Sequence, residues 1–154
     1  MAPMFIQTFD IKSESRELEA LLYDMAVKSG LFVPLSKTSF KYKNYMILKG
    51  PDDLWHTFML KPNKQHVGRT FLKVSAFAIC KLHDQNKHKL IEEVKIEDRV
   101  FERNYIDSLY YKKTYQRTKD ATTRDTALWR YEIVQTKAKA AKSRIDDIFY
   151  ASIV

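Results

Sequence analysis

The sequence predicts an α+β protein: an antiparallel sheet of four or five strands with one N-terminal helix and two C-terminal helices. Three observations lead to this fold class. Short segments of alternating polarity recur up to about residue 100, and helical periodicity takes over beyond Arg103. Turn-forming residues separate the segments, which favours sequential antiparallel connections. The chain has only three glycines and four prolines, so its elements should be long.

The N-terminal part predicts a short strand followed by a helix. Residues 4–11 alternate in polarity, which is typical of a strand. Ser13 or Ser15 offers an N-cap for the helix, and Ser29 with Gly30 provides its stop. The apolar residues between them recur at helical spacing: Leu18, Leu21, Leu22, Met25 and Ala26. We expect this helix to lie across the sheet.

The middle of the chain predicts two further strands. Residues 40–49 predict one strand with a lysine-rich outer face. Its two faces are Phe40, Tyr42, Met46 and Leu48 on one side and Lys41, Lys43 and Lys49 on the other. Residues 50–53, Gly-Pro-Asp-Asp, supply a turn, and residues 55–60 form the next strand candidate before a loop at 61–64.

Residues 69–100 predict a long two-stranded ribbon with one apolar face. Every second position from Leu72 to Leu82 is apolar, a period of two rather than 3.6. After a polar break at 83–88 the alternation resumes at Leu90, Val94, Ile96 and Val100. Joining the two apolar faces would pair Ala78 with Val94 across an odd-numbered loop.

Two helices are expected at the C-terminal end. Ile106, Leu109 and Tyr110 share a helical face, and Asp120 offers a capping residue at the break that follows. From residue 127 onward, apolar residues advance in alternate steps of four and three: Ala127, Tyr131, Val134, Ala138, Ala141, Ile145 and Ile148. This seam fits close packing within the chain, or a homo-oligomer through residues 127–148.

Length and composition indicate one domain over residues 1–154, because 45% apolar residues are enough to build a core. The single cysteine excludes a disulfide framework and a cysteine-cluster zinc site, and Cys80 should be a buried hydrophobe. No run approaches membrane-spanning length and no leader is evident, so we expect a soluble, cytoplasmic protein. Phosphate-loop and dinucleotide fingerprints are absent, and no cofactor or metal is predicted.

The formal charge of +8 is concentrated in one part of the sequence. Residues 35–89 hold eleven Lys and Arg against three Asp, whereas positive and negative residues are more nearly balanced elsewhere. A basic sheet region attracts nucleic acid or an acidic protein surface through a salt-dependent field. Ordinary solubilising charge would produce the same composition.

The primary functional hypothesis is a non-enzymatic binding or assembly protein with nucleic acid as its first partner. Lysines and arginines track phosphates, and aromatic rings stack on exposed bases. The predicted phosphate contacts are Lys41, Lys43, Lys49, Lys61, Lys64, Arg69 and Lys73, with Tyr45 and Trp55 as stacking rings. The alternative is that these rings belong to the core.

Two other functional classes remain open. Pro51-Asp52 followed by Glu93-Val94-Lys95 resembles the PD-(D/E)xK signature of the restriction-endonuclease-like nucleases. That resemblance implies that Asp52 and Glu93 hold a divalent metal while Lys95 positions the attacking water. A third class is a subunit of a larger assembly, or an inhibitor, that acts through protein contacts.

Overall fold

The computed structural model describes residues 16–154, apart from the side chains of residues 16–19. Helix α1 precedes a five-stranded sheet, and three helices follow it. The elements are α1 (Arg16–Lys28), β1 (Val33–Ser36), β2 (Ser39–Tyr42), β3 (Tyr45–Lys49), β4 (Trp55–Met59), β5 (Gln65–Thr70), α2 (Lys73–Asp84), α3 (His88–Arg117) and α4 (Ala121–Ile153). The predicted α+β class is therefore confirmed. The strand expected at residues 4–11 and the caps at Ser13 and Ser15 lie outside the described residues.

The sheet is an antiparallel meander in the order β1-β2-β3-β4-β5, so the predicted sequential pairing is confirmed. Residues 40–49 form a hairpin rather than one strand, because Lys43 adopts a positive φ of 46° and reverses the chain. Tyr42 then pairs with Tyr45, and Lys41 pairs with Met46. As a result Met46 and Leu48 lie on the face opposite to Phe40 and Tyr42, not on the same face as predicted.

The predicted ribbon at residues 69–100 is wrong. Its first strand is the helix α2, and its second belongs to the long helix α3. Helix α2 contacts β3, β4 and β5 on one side and α3 and α4 on the others. Every residue from Val74 to Cys80 is buried, together with Leu82. A helix that is buried all round has no polar face, so apolar residues at every second position do not identify a strand here.

Helix α1 ends where the sequence predicts. Gly30 has a φ of 76°, and the backbone N–H of Leu31 donates to the carbonyl of Ala26 at 3.0 Å. Glycine adopts this left-handed conformation without steric cost, which explains the stop after Lys28. Leu22 and Ala26 are buried, as the helical spacing predicts, whereas Leu21 is exposed.

The two long C-terminal helices form an antiparallel pair. Asp120 accepts a hydrogen bond from the backbone N–H of Thr123 at 2.9 Å and caps α4, which confirms the predicted break. All seven seam residues, from Ala127 to Ile148, are buried. Helix α4 packs on α3 and α2 of the same chain. The seam is therefore occupied within the chain, which is the close-packing alternative.

The core lies between one face of the sheet and the helices. Phe77 of α2 is its centre: its ring lies 4.5 Å from Phe32, 4.9 Å from Phe40 and 6.0 Å from Phe149 of α4. Cys80 is fully buried, as expected for a small hydrophobe, although it lies on a helix. This packing leaves the other face of the sheet turned away from the described helices.

Candidate nucleic-acid interface

The sheet face turned away from α2 is called the open face below. Side chains alternate along each strand, so its residues follow from the cross-strand register. Lys41 pairs with Met46, Met46 with Phe58, and Phe58 with His66; a second row joins Leu48 to His56 and His56 to Arg69. The open face therefore includes Lys41, Met46, Leu48, His56, Phe58, His66 and Arg69. It combines cationic, imidazole and apolar side chains.

Three rings meet at the β4–β5 end of the open face. The ring centroid of Phe58 lies 5.1 Å from that of His66 and 6.2 Å from that of His56. Lys64, in the loop between β4 and β5, holds its ammonium 4.8 Å from the centre of the Phe58 ring. A cation over an aromatic face is attracted by the ring quadrupole. The arrangement brings a flat ring and positive charge together at a surface.

A groove of about 560 Å³ runs between β5 and α3. Strand β5 is an edge strand of the sheet, and its residues from His66 to Thr70 form one wall. The other wall consists of Lys95, Asp98, Arg99 and Glu102. These four residues share one helical face because they are spaced three and four apart. The β5–α3 groove thus brings together His66 and Arg69 of the strand with Lys95 and Arg99 of the helix. The ammonium of Lys95 also lies 3.7 Å from the carboxylate of Glu92, one turn earlier on α3.

Asp98 is the buried carboxylate of this groove. It accepts hydrogen bonds from the backbone N–H of Phe71 at 2.7 Å and of Leu72 at 3.0 Å, and from the hydroxyl of Ser75 at 2.7 Å. Burial raises the pKa of Asp98, and the three hydrogen bonds oppose that rise. Both oxygens of Asp98 are engaged by these three donors, and Glu102 adds a second carboxylate to the same groove wall.

Asp52, His56 and His66 form a linear hydrogen-bonded chain on the open face. Nε2 of His56 lies 3.0 Å from both carboxylate oxygens of Asp52, and Nδ1 of His56 lies 3.0 Å from Nε2 of His66. The hydrogen bond with His56 lowers the pKa of Asp52. Burial lowers the pKa of His66, and the positive charges of His56, Arg69 and Lys95 lower it further. His66 is therefore mainly uncharged at neutral pH.

Four of the predicted phosphate contacts lie on or beside the open face. Lys41 and Arg69 project from it, and both are exposed. Lys61 and Lys64 are exposed in the β4–β5 loop, which the side chain of Asn44 fixes by donating to the carbonyl of Lys61 at 2.7 Å. Arg69 also lines the β5–α3 groove. Of these residues, Lys64 lies over the Phe58 ring and Arg69 is the cross-strand neighbour of His56.

Two other predicted contacts are paired with acids away from the open face. Lys43, at the β2–β3 turn, forms an ion pair with Asp84 at 3.2 Å. Lys49 forms one with Asp53 at 2.9 Å, and its register opposite Trp55 puts it on the core side of the sheet. The predicted lysine surface is therefore divided between the two sides of the sheet.

The remaining predicted site residues belong to the core side. Trp55 is 8% exposed and Tyr45 is 5% exposed. The hydroxyl of Tyr45 lies 2.8 Å from Nδ1 of His83. The ammonium of Lys73 lies 4.2 Å from the centre of the Tyr23 ring and 4.7 Å from that of Phe40. The rings of Tyr45 and Trp55 pack in the core, which is the alternative the sequence left open, and they are not presented to a base.

The residues of the nuclease resemblance have three separate surroundings. Asp52 is bonded to His56, Glu93 to Arg144 of α4 at 2.7 Å, and Lys95 lines the β5–α3 groove. Glu93 and Lys95 are two positions apart on the helix α3, so they project to nearly opposite sides of it. On a strand, as the resemblance implies, they would lie on the same side. Among the described residues, no group of three His, Cys, Asp or Glu side chains could hold a metal ion.

The sequence analysis did not identify several residues of this candidate interface: His56, Phe58, His66, Lys95 and Arg99. The sequence does contain a pattern that could have identified His56, Phe58 and His66. His56 and Phe58 alternate with the buried Trp55 and Thr57, and Pro62 with Asn63 marks the turn that brings the next strand alongside. Lys95 and Arg99 required α3 to be recognised as a helix, because only helical geometry brings positions four apart together.

No family model, curated protein or solved structure matches this chain. In the part of the chain from residue 16 to residue 154, no helix is both long and apolar enough to cross a membrane.

Proposed function

We propose that the protein binds nucleic acid through the open face and the adjoining β5–α3 groove. The convergence of Arg69 from β5 with Lys95 and Arg99 from α3 on one groove is the observation that carries this proposal. Two separate elements contribute cations to one concave surface. These three cations outnumber the two carboxylates that line the groove, Asp98 and Glu102, although Lys95 is also paired with Glu92 at 3.7 Å. A groove with an excess of positive charge attracts an extended polyanion.

The open face continues this positive surface across the sheet. Lys64 lies beside the three rings, and Lys41 projects from β2 on the same side. The distance from β5 to β2 is about 14 Å, since neighbouring strands lie about 4.8 Å apart. A bound chain that follows this path would meet Arg69, Lys64 and Lys41 in turn, which supports several phosphate contacts rather than one.

The test measures binding of a fluorescently labelled oligonucleotide of about 20 nucleotides by anisotropy at low salt. The Lys95→Gln/Arg99→Gln double variant should weaken binding by about ten-fold or more, because each exposed charge pair contributes up to about 1 kcal/mol. The matched control is the Arg130→Gln/Lys137→Gln double variant, which removes one exposed arginine and one exposed lysine on α4 outside the groove. Absence of binding by the wild-type protein, or equal losses in both variants, would contradict the proposal.

The predicted basic residues also sort into two groups for this test. Neutral variants of Lys41, Lys61, Lys64 and Arg69 should weaken binding. Neutral variants of Lys43, Lys49 and Lys73 should leave it nearly unchanged, because these side chains are engaged on the core side of the sheet. This contrast separates a defined binding surface from a general effect of net charge.

We propose protein contact through the outer face of α3 as a second candidate function. Ile106, Leu109 and Tyr110 are 54%, 41% and 66% exposed and adjoin one another at helical spacing. Adjacent exposed apolar side chains are a feature of interaction surfaces. A measurement of mass in solution tests self-association, and Ile106→Lys should abolish any oligomer that this face forms. A monomeric wild type at high concentration would exclude a second copy of the chain as the partner.

A further inference from the structure

We infer that the nucleic acid is single-stranded, with bases stacking on Phe58 while phosphates lie in the β5–α3 groove. This inference rests on the proposed function and names its class of ligand. It follows from the position of one aromatic ring. Phe58 is half-buried at the surface of the open face, whereas Tyr45 and Trp55, on the other side of the sheet, are buried.

The surroundings of Phe58 suit a base rather than an apolar partner. His66 borders the ring at 5.1 Å, and the ammonium of Lys64 lies over the ring face, 4.8 Å from its centre. A base that stacks on Phe58 would take the place of this ammonium, which could then pair with a phosphate. A nucleobase presents a π-face to an aromatic ring, and its phosphate lies within reach of a neighbouring cation. An apolar peptide side chain that filled the same position would supply no anion to the ammonium of Lys64.

His66 connects the ring cluster to the groove. It contacts Phe58 on the open face, and it also lines the β5–α3 groove with Arg69, Lys95 and Arg99. A flexible strand could therefore lay phosphates along the groove and turn one base over β4 without leaving the surface. Stacking and charge are adjacent here, as in the usual arrangement for single strands.

A double helix fits this surface poorly for two reasons. Its bases are stacked on one another inside the duplex, so they are not free to stack on Phe58. The five-stranded sheet is also about 19 Å wide, at about 4.8 Å per strand interval, whereas the major groove of B-DNA is about 12 Å wide. Phe58 lies on β4, inside the edge strand, so it cannot reach the base edges of an undistorted duplex.

The experiment compares a labelled thymidine oligomer of about 20 nucleotides with a duplex of about 20 base pairs. The Phe58→Leu variant removes the ring and keeps an apolar side chain. It should weaken single-strand binding by about five-fold or more and change duplex binding less than about two-fold. Phe58→Tyr keeps the ring and should retain the affinity. The matched control is Trp129→Leu, which removes a ring that is 61% exposed on α4.

A second readout uses the unaltered protein, so it does not depend on the folding of a variant. The ring protons of Phe58 should move upfield in NMR spectra when the thymidine oligomer is added, and not when the duplex is added. Stacked bases produce this shift, whereas charge contacts alone do not.

Three results would overturn the inference. They are equal single-strand affinity of Phe58→Leu and wild type, tighter binding of the duplex than of the single strand, and competition by an acidic polypeptide as effective as that by the oligomer. Each of them leaves nucleic-acid or polyanion binding intact. Failure of the wild-type protein to bind either oligonucleotide is a different outcome, because it removes the proposed function together with the inference.

Discussion

The carboxylate of Asp98 accepts a hydrogen bond of 2.7 Å from the hydroxyl of Ser75, which joins two different helices. Ser75 lies in the first turn of α2, where Leu72 is the N-cap and supplies no side-chain hydrogen bond. Asp98 of α3 supplies the missing acceptor from outside the helix, and it also accepts from the backbone N–H of Leu72. This contact fixes α3 against the end of β5 and so determines the shape of the β5–α3 groove.

Replacement of Asp98 should therefore destabilise the fold. Asp98→Ala leaves three donors at the start of α2 without their acceptor, so it should lower the free energy of unfolding by about 2–4 kcal/mol. Asp98→Asn keeps one acceptor oxygen and should cost less. Denaturant unfolding measures both, with Glu92→Ala on the exposed side of α3 as the control. A loss below about 0.5 kcal/mol for Asp98→Ala would contradict this role.

The salt dependence of binding should report the number of phosphates that the surface neutralises. Six cations border the open face and the groove: Lys41, Lys61, Lys64, Arg69, Lys95 and Arg99. For a single strand, the slope of log K against log salt concentration should reach about −4.2 if all six contact phosphates. Each neutral substitution among them should reduce the slope by about 0.7. Lys137→Gln should not change it, and a wild-type slope near zero would exclude the polyanion surface.

Binding should strengthen as the pH falls. The pKa of His66 lies below its ordinary value near 6.5, because of burial and the nearby positive charges of His56, Arg69 and Lys95. His66 is thus mainly neutral at pH 7 and gains a proton as the pH falls below that value. A bound polyanion favours the protonated form, so affinity should rise by about two- to five-fold, the contribution of one exposed charge pair.

The His66→Gln variant should lose that part of the rise. His88→Gln is the control, since His88 lies at the start of α3 beside His83 and away from the groove. Affinity should be measured by anisotropy from pH 7.5 to about 5.5 at constant ionic strength. A wild-type affinity that does not change over this range, or an unchanged rise in His66→Gln, would show that His66 does not contact the ligand.

The small residues of the α4 seam should be required for stability rather than for assembly. Ala138 is fully buried where α4 packs on α3 and α2. Ala138→Leu should lower the free energy of unfolding by about 1–3 kcal/mol, because added methyl groups have no space there. Light scattering should give the same mass for both proteins. If the variant changes the oligomeric state at unchanged stability, the seam would instead be an intermolecular contact.

The sequence was sufficient to predict an element or its end where one local signal determines the structure. Gly30 ends α1 because its positive φ favours glycine, and Asp120 begins α4 because a carboxylate satisfies a free backbone N–H. The seam from Ala127 to Ile148 has a period that only a helix produces, and all of its residues are buried. These features need no knowledge of the remaining chain.

The sequence was insufficient to predict the type of element where a helix is buried on all sides, because such a helix has no polar face to distinguish it from a strand. From Val74 to Cys80 every side chain of α2 is buried, so both periodicities fit the apolar residues. In α3 the buried residues Ile91, Val94 and Asp98 have helical spacing. An aspartate is not expected in a core, however, unless the three groups that donate hydrogen bonds to it are known. Tertiary contacts supply that information.

The same limit applies to the candidate site. The excess of lysine between residues 35 and 89 was visible, but the reversal at Lys43 decides which of these residues share a face. That one turn puts Lys41 on the open face while Lys49 lies on the core side. Lys95 and Arg99 reach the groove from a helix that is distant in sequence from β5.

The location of the binding surface is tested most directly by NMR, through the backbone amide shifts of the full chain during titration with a thymidine oligomer. We predict that the largest shifts fall on β5 (Gln65–Thr70), on Phe58 and on the α3 turn that carries Lys95 and Arg99. Shifts confined to the surroundings of Lys43, Lys49 and Lys73, or to the outer face of α3 at Ile106 and Tyr110, would contradict the proposed interface, as would the absence of any shift.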